Sequence, residues 1–361
     1  MALTVVAFVS LAGWLGVLLG TACAWDLRPI AEDEPAPPDP TSWPSVTVLV
    51  PARNEAEQLP RTLPALLAQD YPGAWHLVVV DDRSTDGTPV AARDAGVEPV
   101  PGTELPDGWV GKVWALEQAA GASGSPDYLL LTDADIRHAP RSLRRLVAES
   151  EAAGLALNSR MARLRCQAPA ERLLIPPFVF FFNLLYPMRR VNRRPAAAGG
   201  CVLVRREALE RAGGFAAIRD RVIDDVSLAR AIRPHGSIRL SVSRSDVVSL
   251  REHDLGGIWR MVRRTAFTEL RHSWTLLALT IALLLVLFAA PPALTVVGFA
   301  TGNTLAGGAA AAAWALMTAL YLPTIHFFRL SPAWTLTLPL AGCLYGAMTV
   351  DSAVRGRRGA W

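Results

Sequence analysis

Lysine is all but missing from this chain of 361 residues: of its 36 basic residues, only Lys112 is a lysine and the rest are arginines. Cysteine is sparse as well. Cys23, Cys166, Cys201 and Cys343 stand far apart, with neither a C-x-x-C pair nor a Cys/His cluster among them. Such spacing excludes a zinc framework or a redox pair and leaves a reduced, disulfide-free setting as the default. No basic residue precedes the first apolar run, so a cleaved signal peptide fits the N-terminus poorly. The arginine clusters at Arg189-Arg190, Arg193-Arg194, Arg260–Arg264 and Arg355–Arg358 do not alternate with aromatics as a nucleic-acid platform does, and no nucleic-acid partner is expected. They flank apolar stretches instead, where attraction to anionic lipid headgroups accounts for them.

What the chain has in excess is apolar surface. Hydrophobic residues make up 51% of it, more than an average soluble domain needs, and the excess sits at the two ends. Met1–Trp25 carries no charge and approaches the length of a bilayer crossing, so it reads as a retained N-terminal transmembrane anchor. Trp274–Phe299, Leu305–Leu322 and Ala333–Val350 are three further candidate spans, with Gly and Pro that membrane helices tolerate. The expected organisation is an anchor over 1–25, a Pro-rich acidic linker over 26–44 and a globular domain over 45–271. C-terminal transmembrane helices over 272–354 and a basic tail over 355–361 follow. Inside the globular part, residues 173–194 join a Pro-broken apolar stretch to four arginines. That pattern suggests a segment lying at a membrane surface, with a buried core helix as the other reading. If the domain is cytoplasmic, three full crossings at the end would strand Arg355–Arg358 outside, against the tendency of Arg to stay inside. The expectation is therefore that Ala333–Val350, interrupted by Pro339 and Gly342, does not cross fully.

Between the ends, apolar strands alternate with helical patterns, which predicts a mostly parallel α/β sheet. Strands are expected at Val46–Val50, Leu77–Val80, weakly at Glu98–Val100, at Tyr128–Thr132, at Leu155–Ser159 and after Gly199-Gly200 through Val204. Three strand exits carry charge: Pro51-Ala52-Arg53-Asn54-Glu55, Asp81-Asp82, and Asp133-Ala134-Asp135. In open α/β sheets ligands bind just beyond such exits. A carboxylate such as Asp82 can accept hydrogen bonds from a nucleobase or ribose, and Arg53 can face phosphate or base. The D-x-D offers hard oxygens to Mg2+ or Mn2+. Taken alone, it also fits an ordinary strand-to-helix turn with a capping Asp. A second acidic pair, Asp224-Asp225, stands at a helix start, where capping and catalysis are compatible.

The ordered set of PARNE, VDDRSTDGT and TDAD, each after an apolar strand, resembles the family 2 glycosyltransferases from about Ser45 to about Arg233. The resemblance implies an α/β GT-A (nucleotide-diphospho-sugar transferase) domain with a mostly parallel sheet, here joined to α-helical transmembrane segments at both ends. It further implies that Pro51, Ala52, Arg53 and Glu55 line the base pocket and that Asp82 meets the uracil or ribose. Lys112 would face the nucleotide, Asp133 the sugar or ribose, and Asp135 would be the main ligand of Mg2+ or Mn2+, with Asp133 beside it. Asp225 would be the base that takes the acceptor's proton, with Asp224 as its neighbour. Processive members carry Gln-x-x-Arg-Trp. The nearest match, Arg260–Arg264, lacks both Gln and Trp, which argues against a processive synthase and leaves Arg263 and Arg264 as phosphate contacts.

The stretches LPDGWVGKVWA, FFNLLYP, Ala196–Arg206 and WRMVRRTAFTEL are similar to the hopene-associated glycosyltransferases. That similarity implies a multi-pass enzyme of the inner (plasma) membrane with a cytoplasmic catalytic domain. It would move a hexosyl or N-acetylhexosaminyl group, by inversion, from a nucleotide-sugar donor, a UDP-sugar, to the hydroxyl of a membrane lipid acceptor, a hopanoid or polyprenoid. Two other readings stay open: a polyprenyl-phosphate glycosyltransferase, and a non-catalytic nucleotide-sugar-binding membrane scaffold.

Overall fold

A computed structural model of the chain describes residues 1–20, 23 and 25–356, so the end of the basic tail, Arg357 and Arg358 included, lies outside the described residues. The chain divides into two compact units: Arg28–Arg165 with Met188–Arg251, and Met1–Leu27 with Cys166–Pro187 and Glu252–Trp361.

The first unit is built on β1 (Val46–Ala52), β2 (Trp75–Asp81), β3 (Val100–Pro101), β4 (Tyr128–Thr132), β5 (Ile136–His138), β6 (Leu155–Met161), β7 (Cys201–Arg205), β8 (Ser237–Val242) and β9 (Val247–Ser249). Seven of them form one sheet in the order β3-β2-β1-β4-β7-β6-β8, while β5 and β9 pair as a separate antiparallel ribbon. β1 runs parallel to β2 and β4, and β2 to β3; β7 lies antiparallel to both β4 and β6. β4 and β6 are buried at every position, which is why YLLLT is a continuous apolar run and not an alternating one. On the helix Leu59–Leu67, Leu59, Leu63 and Leu66 are buried, while Leu67 is exposed. The helix Ser142–Ala152 turns Leu143, Leu146 and Val147 inward as its 3.6-residue pattern requires.

One charge sits at the centre of this unit. Arg160 on β6 is wholly buried; its guanidinium donates two bonds to Glu149, at 2.8 and 2.7 Å, and one to Asp246 at 3.1 Å. The Pro-rich stretch expected as a linker is fastened to the same unit by its acids. Glu32 accepts the N–H groups of Arg244, Ser245 and Asp246 and the hydroxyl of Ser243, all within 2.8–3.0 Å. Burial works against its charge, but those donors hold its pKa down at about 2. Asp33 pairs with Arg244, Glu34 with Arg239 and Asp39 with Arg144.

In the second unit, Ala2–Leu19, Trp274–Ala300, Thr304–Phe327 and Pro332–Arg355 are long and apolar enough to cross a membrane. The last of them, expected to fall short, has the length and composition of a span. Side-chain caps start three of these helices: Ser273 accepts from Leu276 N–H, Asn303 from Ala306 N–H and Ser331 from Ala333 N–H. Gly298 lets two helices meet closely, since a Cβ there would lie 2.5 Å from the Gly307 nitrogen. The segment expected at a membrane surface divides. Its apolar part belongs to the helix Pro169–Leu185, where Phe180 is fully buried, stacked on Trp14 and edge-on to Tyr321. The four arginines after it belong to the sheet-bearing unit.

Arg160→Leu takes a wholly buried guanidinium away from the buried Glu149 and the half-buried Asp246, leaving them Arg145 at 3.1 and 3.7 Å, and is expected to cost about 3 kcal/mol of stability. Chemical denaturation of the full chain in detergent checks this; an unchanged midpoint contradicts the central role given to that pair of contacts.

Candidate active site

β1 and β2 end side by side because the Asp82 N–H donates to the Ala52 carbonyl at 2.8 Å. The turn after β1 is closed by Asn54, whose φ of +56° is one that Asn tolerates better than most residues. Its side-chain oxygen accepts Thr85 N–H, its own N–H donates to the Ser84 hydroxyl, and Glu55 N–H donates to the Thr88 hydroxyl. The polar residues of DRSTDGT thus hold the PARNE turn in place. Arg53 reaches Asp82 at 3.5 Å, and Asp82 is almost completely buried. Burial pushes the Asp82 carboxyl up from its ordinary pKa, with Arg53 opposing. Burial raises Glu55 likewise, with Arg251 opposing, and its Oε2 is buried without a hydrogen-bond partner among the described residues.

After β4 the chain turns tightly, with Ile136 N–H donating to the Asp133 carbonyl, and enters β5. The β5–β9 ribbon then fixes Asp135. Leu250 N–H bonds its carbonyl, the Ser249 hydroxyl donates to Oδ2 at 2.6 Å, and the Arg251 guanidinium stands 3.6 Å from the same oxygen.

Lys112 opens the helix Gly111–Gly121, a poor place for a cation on dipole grounds. Carboxylates compensate: its Nζ lies 2.8 Å from Asp133 and 3.4 Å from Asp224. Burial would depress its pKa, but those two charges raise it and keep the amine protonated. Asp224 and Asp225 occupy the first turn of the helix Asp224–Ile232, where the dipole favours them; the cap position itself is Ile223. Asp225 accepts Gly199 N–H at 2.8 Å and Val226 N–H at 2.7 Å. A Cβ on Gly199 would come within 3.3 Å of Lys112 Nζ and 3.4 Å of Asp225 Oδ2, so a glycine there lets the backbone reach both. Burial, and then the neighbouring Asp224 charge, push the Asp225 carboxyl well above the carboxylate range, with Lys112 restraining it.

Of the residues singled out in the sequence, Pro51, Lys112, Asp133, Asp224 and Asp225 line one cleft. Arg53 and Asp82 pair, Glu55 and Asp135 share Arg251, and Ala52 is buried. Arg263 and Arg264 lie instead on the helix Leu255–Glu269 of the other unit, where Arg263 stands 3.8 Å from Asp351. Arg251 and Ser249 escaped sequence reasoning. Their signal is the short run Val247–Leu250, another apolar strand leading into a charge.

Among the described residues no group of three or more His, Cys, Asp or Glu side chains is arranged to hold a metal by itself. Asp133 and Asp135 nevertheless fit a hard cation that keeps several waters and completes its coordination on substrate phosphate. The unpartnered buried oxygen of Glu55 marks a neighbourhood built to receive something further.

Residues 47–213, somewhat less than half of the chain, match the family model described as Glycosyl transferase family 2. A mannosyltransferase from Pyrobaculum calidifontis, solved with GDP-Man and Mn2+, superposes with a TM-score of 0.58 at 25% identity, covering 98% of each chain. The chain is 36% identical over 94 residues to the 4,4'-diaponeurosporenoate glycosyltransferase of Staphylococcus haemolyticus (strain JCSC1435), covering 26% of this chain and 24% of the relative. It is 32% identical over 187 residues to an N-acetylglucosaminyltransferase of Mesorhizobium japonicum (strain LMG 29417 / CECT 9101 / MAFF 303099), covering 48% and 42%. The chain spans less than half the length of these curated relatives. None of these comparisons singles out a hopanoid-associated subgroup.

If Asp225 works as a base, it must be deprotonated, and activity falls as the pH drops through its raised pKa. Lys112→Met removes the cation that restrains that pKa. The acidic limb of the kcat/KM profile is therefore expected to move to higher pH, and an unmoved limb contradicts the coupling.

Proposed function

With a family 2 glycosyltransferase domain as the starting point, we propose that the chain is a membrane-bound, metal-dependent, inverting enzyme. It moves a hexosyl or N-acetylhexosaminyl group from a UDP-sugar to the hydroxyl of a hopanoid or polyprenoid lipid. The observation that carries this reading is the gathering of Asp133, Asp224 and Asp225 around the one lysine of the chain. Asp82, Arg53 and the end of β1 at Pro51-Ala52 frame the base and ribose. Lys112 steadies the nucleotide and holds the Asp225 pKa below where burial and the Asp224 charge alone would put it. Asp225, gripped by two backbone N–H groups, takes the proton of the acceptor hydroxyl as it attacks the anomeric carbon from the face opposite the leaving group. Asp133 and Asp135 would hold Mg2+ or Mn2+, which neutralises charge on the departing nucleoside diphosphate. Four apolar helices support placement in the inner membrane, and the need for nucleotide sugar supports a cytoplasmic face for the domain.

Asp135→Ala is expected to lower kcat on the order of 10³-fold, as loss of a group acting on transition-state charge does, and EDTA is expected to silence the wild type. A normal rate in EDTA refutes the metal. Asp82→Ala is expected mainly to raise KM for the donor. Asp225→Asn should abolish transfer to a lipid alcohol; an enzyme that keeps most of its rate points to an acceptor already anionic, a polyprenyl phosphate. Protease added to inside-out membrane vesicles should digest the sheet-bearing domain, and protease added to right-side-out vesicles should spare it.

A further inference from the structure

Arg251 has no task in the reading above, yet it touches two acids of the site. It follows β9, and its guanidinium donates to Glu55 Oε1 while Nε stands 3.6 Å from Asp135 Oδ2. Asp135 is itself buried and already accepts the Ser249 hydroxyl on that same oxygen. The second oxygen of Glu55, also buried, has no donor among the described residues. A guanidinium does not deprotonate, so it cannot remain against Asp135 once a divalent cation arrives there. It can, however, grip Glu55 through both oxygens, in the forked geometry arginine and carboxylate prefer.

We propose that Arg251 is a resident counter-cation of the metal site. It bridges Asp135 and Glu55 in the metal-free enzyme, competes with the metal for Asp135, and withdraws onto the open oxygen of Glu55 when the metal binds. Arg251 is then a positioning residue for the metal ligand, and Glu55 is the anchor that lets it leave. The inference rests on the metal-dependent reading above.

The test measures binding of Mn2+ alone, without nucleotide, to the purified full chain in detergent, with free Mn2+ read by electron paramagnetic resonance. Arg251→Met removes the competitor and is expected to bind Mn2+ about tenfold tighter, since the competent form of Asp135 is then always populated. Glu55→Gln removes the anchor, keeps Arg251 on Asp135 and should bind Mn2+ more weakly. In the double variant that weakening should largely vanish, because no guanidinium is left to withdraw. Simple loss of nearby charge predicts instead that Glu55→Gln weakens binding by the same factor in both backgrounds. That result, or Mn2+ binding unchanged or weaker in Arg251→Met, overturns the proposal. If Mn2+ binds to none of the proteins, the metal reading falls with it.

Discussion

Six carboxylates, from Glu55, Asp82, Asp133, Asp135, Asp224 and Asp225, are carried by one unit, and their repulsion is the constraint the site is built to withstand. Three side-chain cations meet them: Arg53 at Asp82, Lys112 between Asp133 and Asp224, and Arg251 between Glu55 and Asp135. Two like charges 4 Å apart cost about 4 kcal/mol at the effective dielectric of a protein surface, so even one unrelieved pair is a large share of a domain's stability. The rigid parallel strands, buried on both faces, supply the offsetting burial. Backbone N–H groups at Gly199 and Val226 supply the rest of the charge relief. The arrangement favours any ligand that brings positive charge with it.

Much of this was legible in the sequence because it depends on local order. An apolar strand followed by a charged turn marks a strand exit wherever it occurs, and Tyr128–Thr132 is a strand over the very residues its composition selects. Asp82, Asp133 and Asp135 were singled out for that reason. Arg251 was missed although it too follows a short apolar strand, because what sets it beside Asp135 is β9 pairing with β5 across more than a hundred residues of chain, which the local run does not record. The antiparallel β7 was hidden for the same reason: its VLV core is equally suited to either direction. Arg263 and Arg264 came from a weaker signal. A family motif with its Gln and Trp missing pointed at phosphate, while the structure engages Arg263 with an acid of its own helical unit.

Composition also misleads where a chain is polar for a reason other than solvent exposure. Residues 28–44 look like a flexible tether, rich in Pro and acid, yet their acids are matched one by one to arginines and to a nest of backbone N–H groups on the sheet-bearing unit. The two prolines inside Pro169–Leu185 suggested a segment lying at a membrane surface. They are tolerated within a helix whose Phe180 packs in an aromatic cluster.

Lys112 has a consequence that reaches beyond electrostatics. It is the chain's one lysine, so the site contains the only side-chain primary amine in the molecule. Acylating reagents attack the neutral amine, and the adjoining carboxylates keep this one charged. Whatever draws Asp133 and Asp224 away from it uncovers a nucleophile. The extent of amine acylation, read on a single peptide, therefore reports how those carboxylates are engaged, without interference from any other side chain.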